Sequence, residues 1–343
     1  MPRRTAGYTL LPVVLAMSLV AATAFLINRD NGMNAGMAAT GDDAERARLA
    51  AEAGLQAANY AVQQQGCAGG FPTSAAPVTN ANFAGAAYSA YASQAAAPAP
   101  PLTIALSSTG SYNGSSVTLA RSTVYVYQSP RQSYTLQPGP ATGKDAYLDN
   151  KFPDRNYGKA TSMKIDEDTY APLLQFNFTA FPAGSRVIPW YDGAQLQPGA
   201  RLGLYVSNTN DASSETVSAY LLTRSWVMGT MNGSGMAPNG ATWNTYDGDN
   251  SWATPGGDYA ATPLSSVPVA GASGWAGWLN WDITNAVAAW MSGAYVNNGV
   301  LIYPAGTGIK NMTITSANNT NSPEQRPRVV LNYLLPCGAA PPA

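Results

Sequence analysis

The second half of the chain is broken into short runs of β-branched and aromatic residues, separated by turn-forming clusters. Examples are LLQFNF at 173–178, RLGLYV at 201–206 and RPRVVLNYLL at 326–335. Short strands at this spacing are typical of antiparallel sandwiches, whereas a parallel sheet needs a helix between successive strands. The sequence therefore predicts a mainly β fold for residues 133–336, a β-sandwich of jelly-roll type. One short helix is predicted within WDITNAVAAW, with Asp282 as its N-cap.

The N-terminal region has a different character. Residues 8–27 carry no charge and are numerous enough to cross a bilayer as a helix, and Arg3 and Arg4 precede them. From about residue 40 to Gln65 the composition predicts a polar, amphipathic helix, with Arg48 at helical spacing from both Glu45 and Glu52. The predicted fold is thus a long N-terminal hydrophobic and amphipathic helix followed by the sandwich.

The stretch Gly7-Tyr8-Thr9-Leu10-Leu11 and the apolar run after it resemble the N-terminus of type IV pilins and pseudopilins, over residues 1–66. The resemblance implies cleavage by prepilin peptidase between Gly7 and Tyr8. It also implies other pilins or pseudopilins as partners, and a single-pass inner-membrane protein with an exported C-terminal domain that later reaches the cell surface or pilus. An alternative is ordinary signal peptidase acting at Ala22-Thr23-Ala24, which would make Phe25 the first mature residue.

Pro12 stands where pilins usually carry glutamate. A proline in the first helical turn removes no intrahelical hydrogen bond, so the helix tolerates it. The missing carboxylate is the group that, in pilins, contacts the preceding subunit. Its loss favours a minor pilin that initiates a filament or lies at its tip.

A series of short motifs lies between about residues 133 and 335. They are KDAYL (144–148), FPDRNYG (152–158), LLQFNF (173–178), FPAG (181–184), RLGLY (201–205), ATWN (241–244), Trp252 with Gly256-Gly257-Asp258, WDIT (281–284) leading to Trp290, NNGVL (297–301) and SPEQRPRV (322–329). In their order these motifs resemble the DNRLRE family of disaggregatase-related carbohydrate-binding modules. That resemblance implies a jelly-roll sandwich and binding of polysaccharide.

These patterns divide the chain into five segments. They are a leader (1–7), a pilin-like transmembrane and amphipathic helix (8–66), an Ala/Pro/Ser-rich linker with one or two strands (67–132), the sandwich (133–336) and a tail (337–343).

Charge and composition restrict the function. A net charge of −1 gives no basic surface for nucleic acid, which we do not expect as a partner. The chain contains no histidine, which excludes the Ser-His-Asp and Cys-His catalytic arrangements, so we predict that it is not an enzyme. An enzyme that uses paired carboxylates is the alternative. The only cysteines, Cys67 and Cys337, are predicted to form a disulfide after export.

Aromatic side chains are the natural partners of sugar rings. Trp243, Trp252, Trp281 and Trp290 belong to the family pattern and are predicted to pack in the core or to anchor loops. Four aromatic residues outside that pattern are the ligand-binding candidates: Trp190, Tyr191, Trp275 and Trp278.

An acidic stretch that follows Trp243 offers oxygen ligands for calcium. Asp247, Asp249 and Asp258 are the candidates, although the segment lacks EF-hand spacing and an ordinary Asp/Gly turn is the alternative. No other cofactor is predicted.

The predicted function is a minor pilin or pilin-like surface protein, at a filament tip, that displays a sandwich for adhesion with polysaccharide as the candidate ligand. The alternatives are a secreted polysaccharide-active protein and a purely structural surface protein with a cleaved signal peptide. The sequence leaves open whether the filament is a type IV pilus or a type II secretion pseudopilus.

Overall fold

The structure is a computed structural model that describes residues 41–94, 100–167, 169–210, 215–234, 239–269, 273–304 and 312–342. The chain forms two compact units, unit 1 (Met1–Val126) and unit 2 (Tyr127–Ala343). The predicted leader, the cleavage site at Gly7 and Tyr8 and the predicted membrane helix over 8–27 lie outside the described residues. None of the helices in the described ranges is long and apolar enough to span a bilayer.

Unit 1 combines a helix with an antiparallel sheet. The described helix, α1, covers residues 41–65 and is followed by a 3-10 turn at Gly66–Ala68. The sheet has the simple order β1-β2-β3-β4, and the strands are β1 (Val78–Phe83), β2 (Ala86–Ser93), β3 (Thr103–Tyr112) and β4 (Ser115–Tyr125). The prediction of a linker with one or two strands over 67–132 was therefore wrong, because this stretch contains a complete four-stranded sheet.

Helix α1 buries one face, and that face is built mostly from alanine. Its buried positions follow helical spacing and are Ala47, Ala50, Ala51, Leu55, Ala58 and Val62. On the opposite face Arg48 forms ion pairs with Glu45 and Glu52, as their spacing predicted.

Glycines allow the α1 backbone to approach the sheet closely. A Cβ atom at Gly110 of β3 would collide with the carbonyl oxygen of Ala47 and the amide nitrogen of Ala51. A Cβ atom at Gly54 of α1 would collide with the Ser108 hydroxyl and lie 2.9 Å from the Tyr88 ring. Small residues on both surfaces are thus what brings α1 into contact with β3.

Unit 2 contains fourteen strands and a short helix in its described residues. The strands are β5 (Gln132–Leu136), β6 (Lys144–Asp149), β7 (Ser162–Ile165), β8 (Tyr170–Gln175), β9 (Arg186–Val187), β10 (Trp190–Tyr191), β11 (Leu196–Gln197), β12 (Ala200–Asn208), β13 (Glu215–Leu221), β14 (Ser265–Val269), β15 (Gly277–Asp282), β16 (Val300–Pro304), β17 (Met312–Thr315) and β18 (Arg328–Leu334). The helix, α2, spans Thr284–Ser292.

Two antiparallel sheets enclose the main core of unit 2. The seven-stranded sheet has the path β5-β18-β12-β17-β7, with β15 paired to β12 and β9 paired to β18. The five-stranded sheet has the order β14-β13-β16-β8-β6. Leu202 and Ile314 from the first sheet share one core cluster with Val217 and Ile302 from the second. Unit 2 is therefore a mainly β, antiparallel sandwich, as the alternating pattern predicted.

A second apolar cluster covers the outer side of the five-stranded sheet. It is formed by residues of β6, β8 and β16 together with the long connection from β13 to β14, whose described parts are 222–234 and 239–264. Trp226 and Trp252 of this connection are buried against Leu148, Leu173 and Leu301 of the sheet. The outer side of the seven-stranded sheet carries no such cluster among the residues described.

Asn156 holds the long connection in place. It is 1% exposed, and its amide nitrogen donates to the carbonyl oxygens of Met228 and Ala241, each at 2.8 Å. Its amide oxygen accepts from the backbone N–H groups of Gly158 and Met231, each at 3.2 Å. The bonds to Ala241 and Gly158 are buried and those to Met228 and Met231 are partly buried, so leaving these groups unpaired is costly.

Asp145 is a second buried polar anchor. Its carboxylate accepts the Ser316 hydroxyl at 3.0 Å and the Ala317 N–H at 2.7 Å. Burial raises the pKa of Asp145 to about 6, although both hydrogen bonds act in the opposite direction.

The first and last segments of unit 2 lie side by side. β5 pairs with β18 through five residue pairs, from Leu136 opposite Val329 to Gln132 opposite Tyr333. Tyr127 forms an antiparallel bridge with Pro336, and the Gln128 N–H donates to the Leu335 carbonyl oxygen at 2.8 Å.

Candidate functional site

Strand alternation places a set of polar and aromatic side chains on the outer side of the seven-stranded sheet. Leu202, Leu204, Leu279, Trp281 and Val329 point into the core. Because successive side chains of a strand point to opposite faces, their neighbours point outward. We call this surface the Trp278 face; its members are Trp278, Asn280 and Asp282 of β15, Arg201, Gly203 and Tyr205 of β12, and Arg328 of β18.

The register of the strands brings these residues together. Tyr205 lies opposite Trp278, and Gly203 lies opposite Asn280 on one side and Arg328 on the other. A Cβ atom at Gly203 would lie 3.2 Å from the Trp278 ring and 3.3 Å from the Arg328 side chain. The missing side chain at Gly203 therefore leaves the space in which Trp278 and Arg328 meet.

Trp278 is held by an aromatic and a cationic neighbour. The guanidinium carbon of Arg328 lies 3.7 Å from the centre of the indole ring, and the Tyr205 ring packs edge-on with its centroid 5.5 Å away. Such contacts fix the ring without burying it completely, and Trp278 remains partly exposed. Since Arg328 occupies one face of the indole, stacking of a ligand falls to the other face.

The Trp278 face carries more positive than negative charge, with two arginines, Arg201 and Arg328, and one carboxylate, Asp282. Burial, and then the nearby charge of Arg201, lower the pKa of Arg328. The Nε atom of Arg328 is buried and has no hydrogen-bond acceptor in the described part of the chain. Arg201, Asn280 and Asp282 are exposed beside it. The face thus offers a ring for stacking together with exposed charged and amide groups that hydrogen-bond hydroxyls, which is the chemistry of sugar recognition.

The other predicted aromatic ligands lie elsewhere. Trp190 and Tyr191 form β10 of a separate two-stranded hairpin, where Trp190 packs on the Arg131 guanidinium at 4.0 Å and Tyr191 is 65% exposed. Trp275 is partly buried against the main core. Of the four candidates, the structure brings only Trp278 into an outward-facing cluster with other described polar and aromatic groups.

The tryptophans of the family pattern are structural, as predicted. Trp281 is fully buried and donates its indole N–H to the Val217 carbonyl oxygen at 2.8 Å. Trp252 is buried and donates to the Thr242 carbonyl oxygen at 2.9 Å. Trp243 and Trp290 are partly buried and pack against the two apolar clusters.

Two of the three acidic residues proposed as calcium ligands, Asp247 and Asp258, use their carboxylates in other contacts. The Asp247 carboxylate accepts the N–H groups of Asp249 and Asn250 within its own turn, which lowers the pKa of Asp247. Asp258 forms an ion pair with Arg224 and accepts the Thr254 N–H at 3.1 Å. No group of three acidic, histidine or cysteine side chains that could hold a metal occurs among the residues described.

Both cysteines of the chain, Cys67 and Cys337, are disulfide-bonded, as predicted.

The predicted N-cap of α2, Asp282, lies two residues before the first residue of the helix. Its carboxylate accepts the N–H of Thr284 at 2.9 Å, whereas the N-cap position itself is Ile283.

Sequence reasoning did not select Arg201, Tyr205 and Arg328 as site residues. The signal was present in RLGLYV, because its apolar residues alternate and the residues between them must face outward, whereas RVVLNYL has consecutive apolar residues and gives no such signal for Arg328. What the sequence lacked was the pairing of β12 with both β15 and β18, which sets these three residues around Trp278.

A comparison with protein families matches residues 140–332 to carbohydrate-binding module family 96. A search of curated proteins gave no match. The matched segment is more than half of the 343-residue chain and includes every residue of the Trp278 face. An antiparallel sandwich with an outward-facing tryptophan agrees with this match, and the chain therefore belongs to carbohydrate-binding module family 96.

Proposed function

We propose that this protein is a surface-displayed adhesin that binds polysaccharide on the Trp278 face. The observation that carries the proposal is the partly exposed indole of Trp278, fixed by Arg328 and Tyr205 on a sheet surface that no apolar cluster of the described residues covers. Arg201, Asn280 and Asp282 are exposed on the same face, where they can hydrogen-bond sugar hydroxyls. A sheet surface of this kind suits an extended polymer, because consecutive sugars of the polymer can lie over neighbouring strands.

We further propose that the protein is a minor pilin that displays this module. In this proposal it is processed after Gly7, passes through the inner membrane and lies at a filament tip among other pilins or pseudopilins. Supporting it are the uncharged run at 8–27, Pro12 at the glutamate position, and a helix packed on an antiparallel sheet in unit 1. N-terminal sequencing of the exported protein tests it. We expect Tyr8 as the first residue, whereas Phe25 contradicts the pilin proposal and supports signal peptidase.

The proposed role is binding without catalysis. No histidine is present in the chain to act as a general base near neutral pH. Release of new reducing ends or of unsaturated products from a polysaccharide would contradict this role.

Replacing Trp278 with alanine should weaken polysaccharide binding at least about tenfold, because a ring at the centre of a binding surface contributes disproportionately. Trp278→Phe should retain part of the affinity. Binding of the full-length protein to immobilised β-glucans, chitin and polyuronates measures the effect, with and without calcium.

Trp190→Ala is the matched control, because it removes a tryptophan that also packs on an arginine, but in the β10–β11 hairpin. We expect this variant to bind as the unmodified protein does. Equal affinity of the Trp278→Ala variant and the unmodified protein would exclude the Trp278 face as the site.

A further inference from the structure

A cleft of about 630 Å³ opens on the other side of the sandwich, at the edge of the apolar cover of the five-stranded sheet. Its walls come from Tyr220 near the end of β13, from Thr223 and Arg224, and from residues between 253 and 261 of the long connection. The residues that matter chemically are Tyr220, Thr223, Arg224, Thr254, Asp258 and Tyr259. The volume falls within the range of small-ligand sites, roughly 300–1,000 Å³.

Two tyrosine rings form the aromatic part of this surface, which we call the Tyr259 cleft. The ring centroids of Tyr220 and Tyr259 are 5.1 Å apart and the rings are inclined at 56°. Tyr259 is 39% exposed, so part of its ring is accessible to a ligand. Backbone bonds fix its position, because Leu222 and Tyr259 form an antiparallel bridge and the Ala260 N–H donates to the Leu221 carbonyl oxygen at 2.9 Å.

A fixed ion pair supplies the polar part. The Asp258 carboxylate pairs with the Nε of Arg224 and accepts the Thr254 N–H, and its side chain is 10% exposed. The Arg224 side chain is 43% exposed, and its guanidinium lies 5.0 Å from the centre of the Tyr246 ring. Donors and acceptors are therefore oriented before any ligand arrives, which lowers the entropic cost of binding.

The charge balance differs from that of the Trp278 face. Arg224 is neutralised by Asp258 within the cleft, whereas Arg201 and Arg328 lie together on the Trp278 face with Asp282 as the only carboxylate of that surface. The paired charges cancel, so the cleft offers no net positive charge to attract an acidic sugar, whereas its tyrosine rings and polar side chains suit neutral hydroxylated rings. The ligand class that fits the cleft is an uncharged hexopyranose.

We propose that the Tyr259 cleft is a second saccharide site, selective for uncharged hexopyranose units and independent of the Trp278 face. This rests on the proposed polysaccharide-binding function of the protein. Because Tyr220 points away from the main core, the cleft and the Trp278 face lie on opposite outer sides of the sandwich. Occupation of one site therefore does not block the other.

The test uses the full-length protein and three neutral probes, cellohexaose, laminarihexaose and chitohexaose, with affinities measured by titration calorimetry. Tyr259→Ala should reduce the affinity for at least one probe about tenfold, and Trp278→Ala should reduce that affinity less than about threefold. Tyr295→Ala is the control, because Tyr295 is 65% exposed and lines neither site. Thermal melting of each variant verifies that it is folded.

The outcomes separate the two proposals. If the unmodified protein binds the immobilised polysaccharides through Trp278 but none of the neutral probes, or if Tyr259→Ala binds every recognised probe as well as the unmodified protein does, the second site is overturned and the Trp278 face stands. If the unmodified protein binds no carbohydrate at all, both proposals fail.

Discussion

Replacing Asn156 with alanine is expected to lower the free energy of unfolding of unit 2 by about 4 kcal/mol. The change removes four hydrogen bonds and leaves the carbonyl oxygens of Met228 and Ala241 and the N–H groups of Gly158 and Met231 without this partner in a buried place. Thermal unfolding of the full-length protein should show a melting temperature for unit 2 lower by roughly 10 °C, given the usual scaling for domains of this size.

Asn208→Ala is the matched control for this experiment. Its amide donates to the Asn210 side chain at 2.7 Å on the exposed surface, so its loss should change the unfolding free energy by less than about 0.5 kcal/mol. A melting temperature of Asn156→Ala equal to that of the control would show that water replaces the lost bonds. Asn156 anchors the long connection, which contributes most of the Tyr259 cleft. In Asn156→Ala, binding at the cleft should therefore weaken more than binding at the Trp278 face.

Adding a single methyl group at Gly110 should disrupt unit 1. In Gly110→Ala the new Cβ atom collides with backbone atoms of Ala47 and Ala51, which cannot rotate away as a side chain would. Helix α1 must then move from β3, and we expect a loss of about 3 kcal/mol, at the upper end of overpacking effects.

Limited proteolysis with trypsin provides the measurement, because α1 contains Arg46 and Arg48 on its exposed face. Cleavage after these residues should become at least tenfold faster in Gly110→Ala. Ser111→Ala, at the next position of β3 and exposed, should be cleaved at the original rate. Unchanged cleavage of Gly110→Ala would mean that α1 does not depend on close contact with β3.

The strands of unit 2 could be predicted because their core positions are large and alternate. In RLGLYV, leucine and valine at every second position define an inner face and thereby an outer one. The strands of unit 1 lack this signal. AAYSAYAS and TIALSSTGSY are rich in alanine, serine and glycine, because an alanine-lined helix packs closely on them and leaves little room for branched side chains.

Only part of the Trp278 face could be predicted from the sequence, because strand pairing brings its residues together. Trp278 could be selected because it is an aromatic residue outside the family pattern, but Arg328 is 50 positions further along the chain and its contact with the indole depends on two strand pairings across Gly203. The Tyr259 cleft was missed because Tyr220 and Tyr259 lie far apart in the sequence, with most of the long connection between them. Asp258, proposed as a calcium ligand, instead pairs with Arg224, which carries the opposite charge and lies near it only in the folded chain.

The pairing of β5 with β18 also determines how unit 2 carries mechanical load. If a polymer binds the Trp278 face as proposed, it pulls on β12, β15 and β18, while the chain enters unit 2 through the segment that leads into β5. Tension between the polymer and the entry point then crosses an antiparallel ladder of five residue pairs, extended by the bridge from Tyr127 to Pro336.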